Sequence, residues 1–217
     1  GAEIILSIPS VGATVNLMLA AVLAEGHTVL ENSAREPEIS ALAGALRKAG
    51  ADISGEGTSR IEIEGVRELR PFEYRVIPDR IEAGTFAAAA AITGGRVTVE
   101  DCEPKHMRAV TDKLKSCGAR IEEAESSITV EGPERIVPVD IDTGFYPAFP
   151  TDMQAQMMAV LCLSDGSSSI VEHVYSDRFT HVPELKRFGA RITLDGHVAV
   201  VSGVDSIEGA PVMATDI

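Results

Sequence analysis

The apolar positions of this chain fall into a pattern that recurs three times. Val11 to Ala24, Phe86 to Ile92 and Met153 to Leu163 are apolar nearly all round, which predicts helices covered on every side. Ile39, Leu42 and Leu46 share one face at helical spacing, as do Met107, Val110 and Leu114, and Val182, Leu185 and Phe188, so a one-faced helix is predicted in each copy. Ile61-Glu62-Ile63, Ile128-Thr129-Val130 and Val198 to Val201 read as strands with one wet face, each preceded by a shorter one at Ile53, Ile121 or Ile192. First strands are predicted at Ile4 to Ile8, Tyr74 to Ile77 and Val139 to Ile141, and second strands at Thr28 to Glu31, Val97 to Glu100 and Ser169 to Glu172. Each copy thus reads strand, buried helix, strand, amphipathic helix, strand, strand, with buried helices over 11–24, 84–92 and 152–163. The fold class is α/β with helices inside and sheets around them, the reverse of the usual α/β barrel.

Glycine and proline mark the same period. Gly50, Gly118 and Gly189, each followed by Ala, close the amphipathic runs at spacings of 68 and 71 residues. Gly26, Gly95 and Gly166 end the apolar helices, and Pro9, Pro78 and Pro150 begin them. The segment Gly209 to Ile217 reads as the opening of a fourth copy's first helix. That reading, with Gly1 in place of a Met, leads us to expect an internal piece of a longer protein. Inner helix faces bearing Met18, Leu19, Val22, Met157 and Val160 are then expected to lack a partner within the chain and to draw it into self-association.

A chain of 217 residues with 45% hydrophobic content can form one large or two small cores. No apolar run reaches the length of a membrane span. The three cysteines, an odd number without metal spacing, favour a reducing compartment over a disulfide framework. A net charge of −14 argues against nucleic acid, so an anionic ligand must be met by local Arg and by helix N-termini.

Such places exist. Ser10-Val11-Gly12-Ala13-Thr14 opens the first buried helix with a hydroxyl and a glycine, which suits a ligand phosphate and equally suits a cap followed by a small packing residue. Asp79-Arg80-Ile81-Glu82 and Thr151-Asp152 hold the matching place in the later copies. Asp152 reads either as a cap or as a carboxylate with work to do in a cleft. Arg178 lies between Tyr175 and Phe179, a setting that holds a guanidinium for an anion, although a mixed-charge turn of this kind also serves as a solvated cap. His106, His173 and His181 never fall at metal spacing, while Cys117 and Cys162 sit where core residues are expected.

Five strings carry a specific resemblance: Ser10 to Thr14, Ala34 to Glu38, Ile77 to Thr85, Phe149 to Gln156 and Gly209 to Asp216. In this order they resemble the UDP-N-acetylglucosamine 1-carboxyvinyltransferases. The resemblance implies a cytoplasmic enzyme of peptidoglycan synthesis that moves the enolpyruvyl group of phosphoenolpyruvate onto the 3-hydroxyl of UDP-N-acetylglucosamine, with release of phosphate and with no metal or cofactor. It implies inside-out α/β barrel units of the enolpyruvyl transferase type. Residues 1–76 would be the last repeat of one domain, and 77–217 two repeats and the start of a third of the next. By position Ser10, Val11 and Gly12 resemble diphosphate-side contacts, Asp152 the group that holds the sugar hydroxyl, and Val174 a backbone contact to the nucleotide sugar. Arg178 and Asp216 match residues lining the reacting centre. The family's reactive cysteine matches none of the three here and its loop is expected before Gly1, so this chain alone is expected to be inactive. Ile8 stands where some members carry Lys, and Asp177 where Asn is common, which leaves the phosphate contacts open. Two other readings stay open: a 5-enolpyruvylshikimate-3-phosphate synthase, against which the Phe149-Pro150-Thr151-Asp152 string speaks, and a non-catalytic nucleotide-sugar binding module.

Overall fold

The computed structural model describes residues 1–214, which form two units, one of residues 1–77 with 145–147 and one of 78–144 with 148–214. The first unit runs β1 (Glu3–Ile5), α1 (Val11–Ala21), β2 (His27–Glu31), α2 (Pro37–Lys48), β3 (Asp52–Ser54) and β4 (Arg60–Glu64). Its sheet has the order β1-β2-β4-β3, with β1 and β2 parallel and the other pairs antiparallel. Met18, Leu30, Ile39, Ile61 and Ile63 are fully buried between the helices and this sheet. Alternation explains the strand: Ile61 and Ile63 face the core while Arg60, Glu62 and Glu64 do not. On the other side of α1, Val11 and Leu19 stay exposed, so this helix is apolar all round yet covered on one side only.

The second unit holds α3 (Arg80–Thr93), β5 (Arg96–Glu100), α4 (Arg108–Ser116), β6 (Arg120–Glu123) and β7 (Ser127–Glu131). It continues with β8 (Ile141–Asp142), α5 (Gln154–Leu161), β9 (Ser167–Val171), α6 (Val182–Arg187), β10 (Arg191–Asp195) and β11 (Val198–Ser202). Its sheets are ordered β5-β7-β6 and β10-β11-β9-β8. Helices α3 and α5 pack on one another within a shared core: Ala83, Ala87, Ala90 and Ala91 of α3 and Met157, Met158, Val160 and Leu161 of α5 are all buried. Small residues on α3 allow this approach, since a Cβ on Gly84 would sit 3.0 Å from the Met153 Sδ. The first and third copies thus show the full βαβαββ order.

Five expectations need correction. Two of the three apolar helices are not covered on every side: α1 leaves Val11 and Leu19 exposed, with Leu23 just beyond it, and α3 leaves Phe86 53% exposed, so only α5 is buried as expected. No strand forms at Tyr74 to Ile77: Tyr74 is held on α2, with the Lys48 ammonium 5.5 Å over its ring and its hydroxyl filling the space beside Gly44, while Val76 is exposed. The second copy therefore lacks its first strand. Of the five side chains expected to lack partners, Met18, Val22, Met157 and Val160 are buried within their own units, leaving only Leu19 exposed. The left-handed residue ending α3 is Gly94 rather than Gly95. The tail forms no helix through Ala214, and its remaining residues lie outside those described.

Candidate functional site

The three inner helices begin in different ways. Ser10 has extended backbone and its Oγ accepts the Ala13 N–H at 3.3 Å, a side-chain cap on α1. One turn on, the Thr14 hydroxyl donates to the Ser10 carbonyl at 2.8 Å and accepts the Ala34 N–H at 3.0 Å. Asp79 caps α3, its Oδ1 accepting from Ile81 at 2.7 Å and Glu82 at 3.1 Å. The chain enters α5 through a 3-10 turn, Thr151–Met153, and neither that turn nor α5 has a side-chain cap. The capping role open to Asp152 in the sequence is therefore not taken up.

Asp152 makes a different bond. Its Oδ1 lies 2.7 Å from Arg178 Nη1, in a pair whose side chains are 48% and 16% exposed respectively. Arg178 Nη1 also donates to the Thr151 hydroxyl at 3.1 Å, and that hydroxyl donates to Glu172 Oε2 at 2.9 Å. Of the two aromatic neighbours read from sequence, Tyr175 serves the guanidinium, 5.5 Å from its centre, whereas Phe179 is turned into the core. Asp152, Val174, Tyr175, Ser176, Asp177 and Arg178 line an open cavity of about 600 Å³. A second recess of about 700 Å³, at the far ends of α3 and α5, carries Glu131, Glu134, Asp165 and Asp205 against Arg135, which is itself paired with Asp165. That acidic lining suits an anionic ligand poorly, so the first cavity is the candidate site.

Glu172 was not singled out in the sequence, and neither were Thr151 and Gln154 as its partners. The carboxylate is 2% exposed and gathers hydroxyl and backbone donors from three stretches of chain. Gln154 is 1% exposed and donates to the Arg178 carbonyl at 3.0 Å. One signal was available, a buried polar residue at the head of an otherwise apolar helix.

His181, three residues past Arg178, has both ring nitrogens buried and unpartnered. Burial first and the Arg178 charge second push its pKa down to about 4. Cys102, Cys117 and Cys162 are free and buried, and burial raises the last two to about 11. Among the described residues no group of three or more His, Cys, Asp or Glu is placed to hold a metal ion.

The structure brings together three of the sequence candidates, Asp152, Arg178 and Val174, at one cavity in the second unit. Ser10, Val11 and Gly12 stand at the head of α1 in the first unit, where Gly12 is exposed and a Cβ would meet nothing within 4 Å. Gly12 is thus no packing residue. Asp216 lies outside the described residues.

The family model described as EPSP synthase (3-phosphoshikimate 1-carboxyvinyltransferase) matches residues 1–217. The chain belongs to this family. Over all 217 residues it is 54% identical to UDP-N-acetylglucosamine 1-carboxyvinyltransferase 1 of Caldanaerobacter subterraneus subsp. tengcongensis, covering 52% of that protein. It is 52% identical to the UDP-N-acetylglucosamine 1-carboxyvinyltransferase of Geotalea daltonii, again over 52% of its length. The chain therefore spans about half the length of the curated relatives it matches. Among solved structures, the enolpyruvyl transferase NikO from Streptomyces tendae matches with a TM-score of 0.82 and 25% identity, covering 92% of this chain and 48% of that one. The resemblance drawn from the five strings holds, and the architecture of inward helices is that of an enolpyruvyl transferase.

Proposed function

We propose that the protein carrying this chain transfers the enolpyruvyl group of phosphoenolpyruvate to the 3-hydroxyl of UDP-N-acetylglucosamine, releasing phosphate, in the cytoplasmic synthesis of peptidoglycan. The supporting observation is the 54% identity to such a transferase across every residue of the chain. The site adds chemistry to it. Asp152, half exposed beside a cavity, is the carboxylate that holds the sugar hydroxyl and takes its proton. Arg178, held by Thr151 and by the Tyr175 ring, meets the phosphate of the ketal intermediate as its negative charge builds. The Val174 backbone contacts the nucleotide sugar, and Ser10, Val11 and Gly12 take the diphosphate side on the open N-terminus of α1. Asp216 completes the reacting centre in this reading.

Residues 1–76 are read as the last repeat of one domain, and 77–217 as two repeats and the start of a third of the next. Location in the cytoplasm fits a chain in which no helix among the described residues is long and apolar enough to cross a membrane. With half of its relatives' length present, the chain alone is not expected to turn over substrate. Phosphate release with both substrates tests the reading on the whole protein, with calorimetry comparing UDP-N-acetylglucosamine and shikimate 3-phosphate. Preference for shikimate 3-phosphate would transfer the chain to the sister activity, and clear turnover by the 217-residue chain would mean that the active site is misplaced.

A further inference from the structure

We infer that Glu172 is a positioning residue for this site: its buried carboxylate, acting through the Thr151 hydroxyl, sets where Arg178 stands against Asp152. The inference rests on the proposed function only for the roles of Asp152 and Arg178. A carboxylate 2% exposed is costly unless its charge is met, and here it is met by neutral donors. Oε1 accepts from the Thr143 hydroxyl at 2.8 Å and from the N–H groups of Val174 at 2.9 Å and Tyr175 at 3.1 Å. Oε2 accepts from the Thr151 hydroxyl at 2.9 Å, with a long contact of 3.5 Å from Gln154 Nε2. These donors come from the end of β8, the turn into α5 and the loop after β9. One buried group therefore fixes the Val174 backbone and the turn that carries Asp152.

Proton order follows from donor chemistry. An ionised carboxylate only accepts and a guanidinium only donates, so the Thr151 hydroxyl must point its hydrogen at Glu172 and its lone pair at Arg178. The sequence of bonds Arg178 to Thr151 to Glu172 has one allowed direction. The repeat itself does not demand this arrangement. Glu31, at the matching place in the first copy, is ion-paired with Arg60, and Glu100 in the second is exposed at the end of β5. Only the third copy, the one with Asp152 at its helix mouth, buries the carboxylate and spends it on neighbouring polar groups.

Glu172→Gln in the whole protein tests this. The amide oxygen can keep the Thr143, Val174 and Tyr175 bonds, while the amide N–H₂ replaces the acceptor that Thr151 needs, so the conflict falls on Thr151 and Arg178. We expect kcat to fall about 10- to 100-fold, as for a catalytic group misplaced by an ångström or less. KM for UDP-N-acetylglucosamine should stay near the parental value. Thr151→Val should reproduce that loss, the double variant should lose no more than either single one, and Thr151→Ser, which keeps the hydroxyl, should regain most of the rate. Parental kcat in Thr151→Val, or losses that multiply in the double variant, would overturn the inference. Should Glu172→Gln fail to fold, the Thr151→Val and Thr151→Ser comparison decides alone. Rotation of the Arg178 guanidinium, followed by nitrogen NMR, is the arm independent of turnover: it should speed up in Thr151→Val and not in Thr151→Ser. If the parent protein shows no transferase activity, the functional reading fails, and an unchanged guanidinium signal in Thr151→Val would separately sink the positioning role.

Discussion

Arg178 Nη1 stands 2.7 Å from Asp152 Oδ1 at the one inner helix that has no side-chain cap. The carboxylate is tied to a cation from the loop after β9 and not to the N–H groups of α5. Because Asp152 is 48% exposed, solvent screens the pair, and we assign it no more than about 1 kcal/mol of stability. Asp152→Asn is therefore expected to leave the melting temperature nearly unchanged while lowering turnover of the whole protein by on the order of 10²-fold or more. Phosphate release and a thermal melt on the same preparation check this, and full turnover would reduce Asp152 to a structural partner of Arg178.

His181 should make stability depend on pH. Its folded pKa is depressed from 6.5 to about 4, so the unfolded chain takes up a proton that the folded chain refuses across that interval. The stability is complete above about pH 6.5 and is lost as pH falls toward 4. His181→Phe removes both buried, unpartnered nitrogens, and we expect its melting temperature to fall less than the parent's between pH 7 and pH 5, near the limits of histidine's ordinary titration range. Equal pH dependence in the two proteins would assign the effect to other groups.

The thiols give a simpler test. Cys117 and Cys162 are buried, with pKa raised to about 11, so at pH 8 only about one molecule in a thousand carries either thiolate. Alkylation of the folded chain is expected to be slow at both positions and to become fast in denaturant. Rapid labelling of either one in the native state would contradict the core role read from sequence.

The repeat was legible because it is written in backbone requirements. Gly50, Gly118 and Gly189 all have φ near +100°, a conformation other residues avoid, so the chain must place glycine there in each copy. The one-faced helices were legible from the period of their apolar positions, but an all-apolar pattern did not reveal that α1 and α3 each keep one side uncovered, at Leu19 and at Phe86. The missing strand at Tyr74 to Ile77 was not legible either, since its residues pattern as a strand while Tyr74 is held by contacts with Lys48 and Gly44. At the site, Asp152 and Arg178 were visible through local context and resemblance. Glu172 was hidden, because Thr143, Thr151 and Tyr175 reach it from three stretches of chain and nothing in Ser169 to Glu172 announces that meeting.

The contact between α3 and α5 has little room to spare. A Cβ at Gly84 would lie 3.0 Å from Met153 Sδ and 3.1 Å from its Cε, and Met153 is fully buried next to Asp152. Gly84→Val adds a branched side chain there and is expected to destabilise the protein by about 1–3 kcal/mol through overpacking. Since Met153 belongs to the turn carrying Asp152, kcat should fall as well. Chemical denaturation combined with phosphate release measures both, and a stable, fully active variant would mean that the helices separate freely.

Gly12 sets stability and function against one another. It lies inside the first turn of α1, exposed, with open space where a Cβ would go, so neither packing nor a left-handed backbone requires glycine. In a free helix Ala is favoured over Gly by up to about 1 kcal/mol, and Gly12→Ala should therefore raise the melting temperature slightly. A glycine kept at such a position is understandable if a ligand must come close to the backbone N–H groups behind the Ser10 cap. The added methyl then stands between those groups and a diphosphate. We expect calorimetry on the whole protein to show UDP-N-acetylglucosamine binding weakened at least about tenfold, or roughly 1.4 kcal/mol. Weaker binding in a more stable protein has no explanation in loss of structure, and so it isolates the ligand's approach to this helix end. Unchanged affinity would remove Ser10, Val11 and Gly12 from the diphosphate site and leave them as the cap of α1.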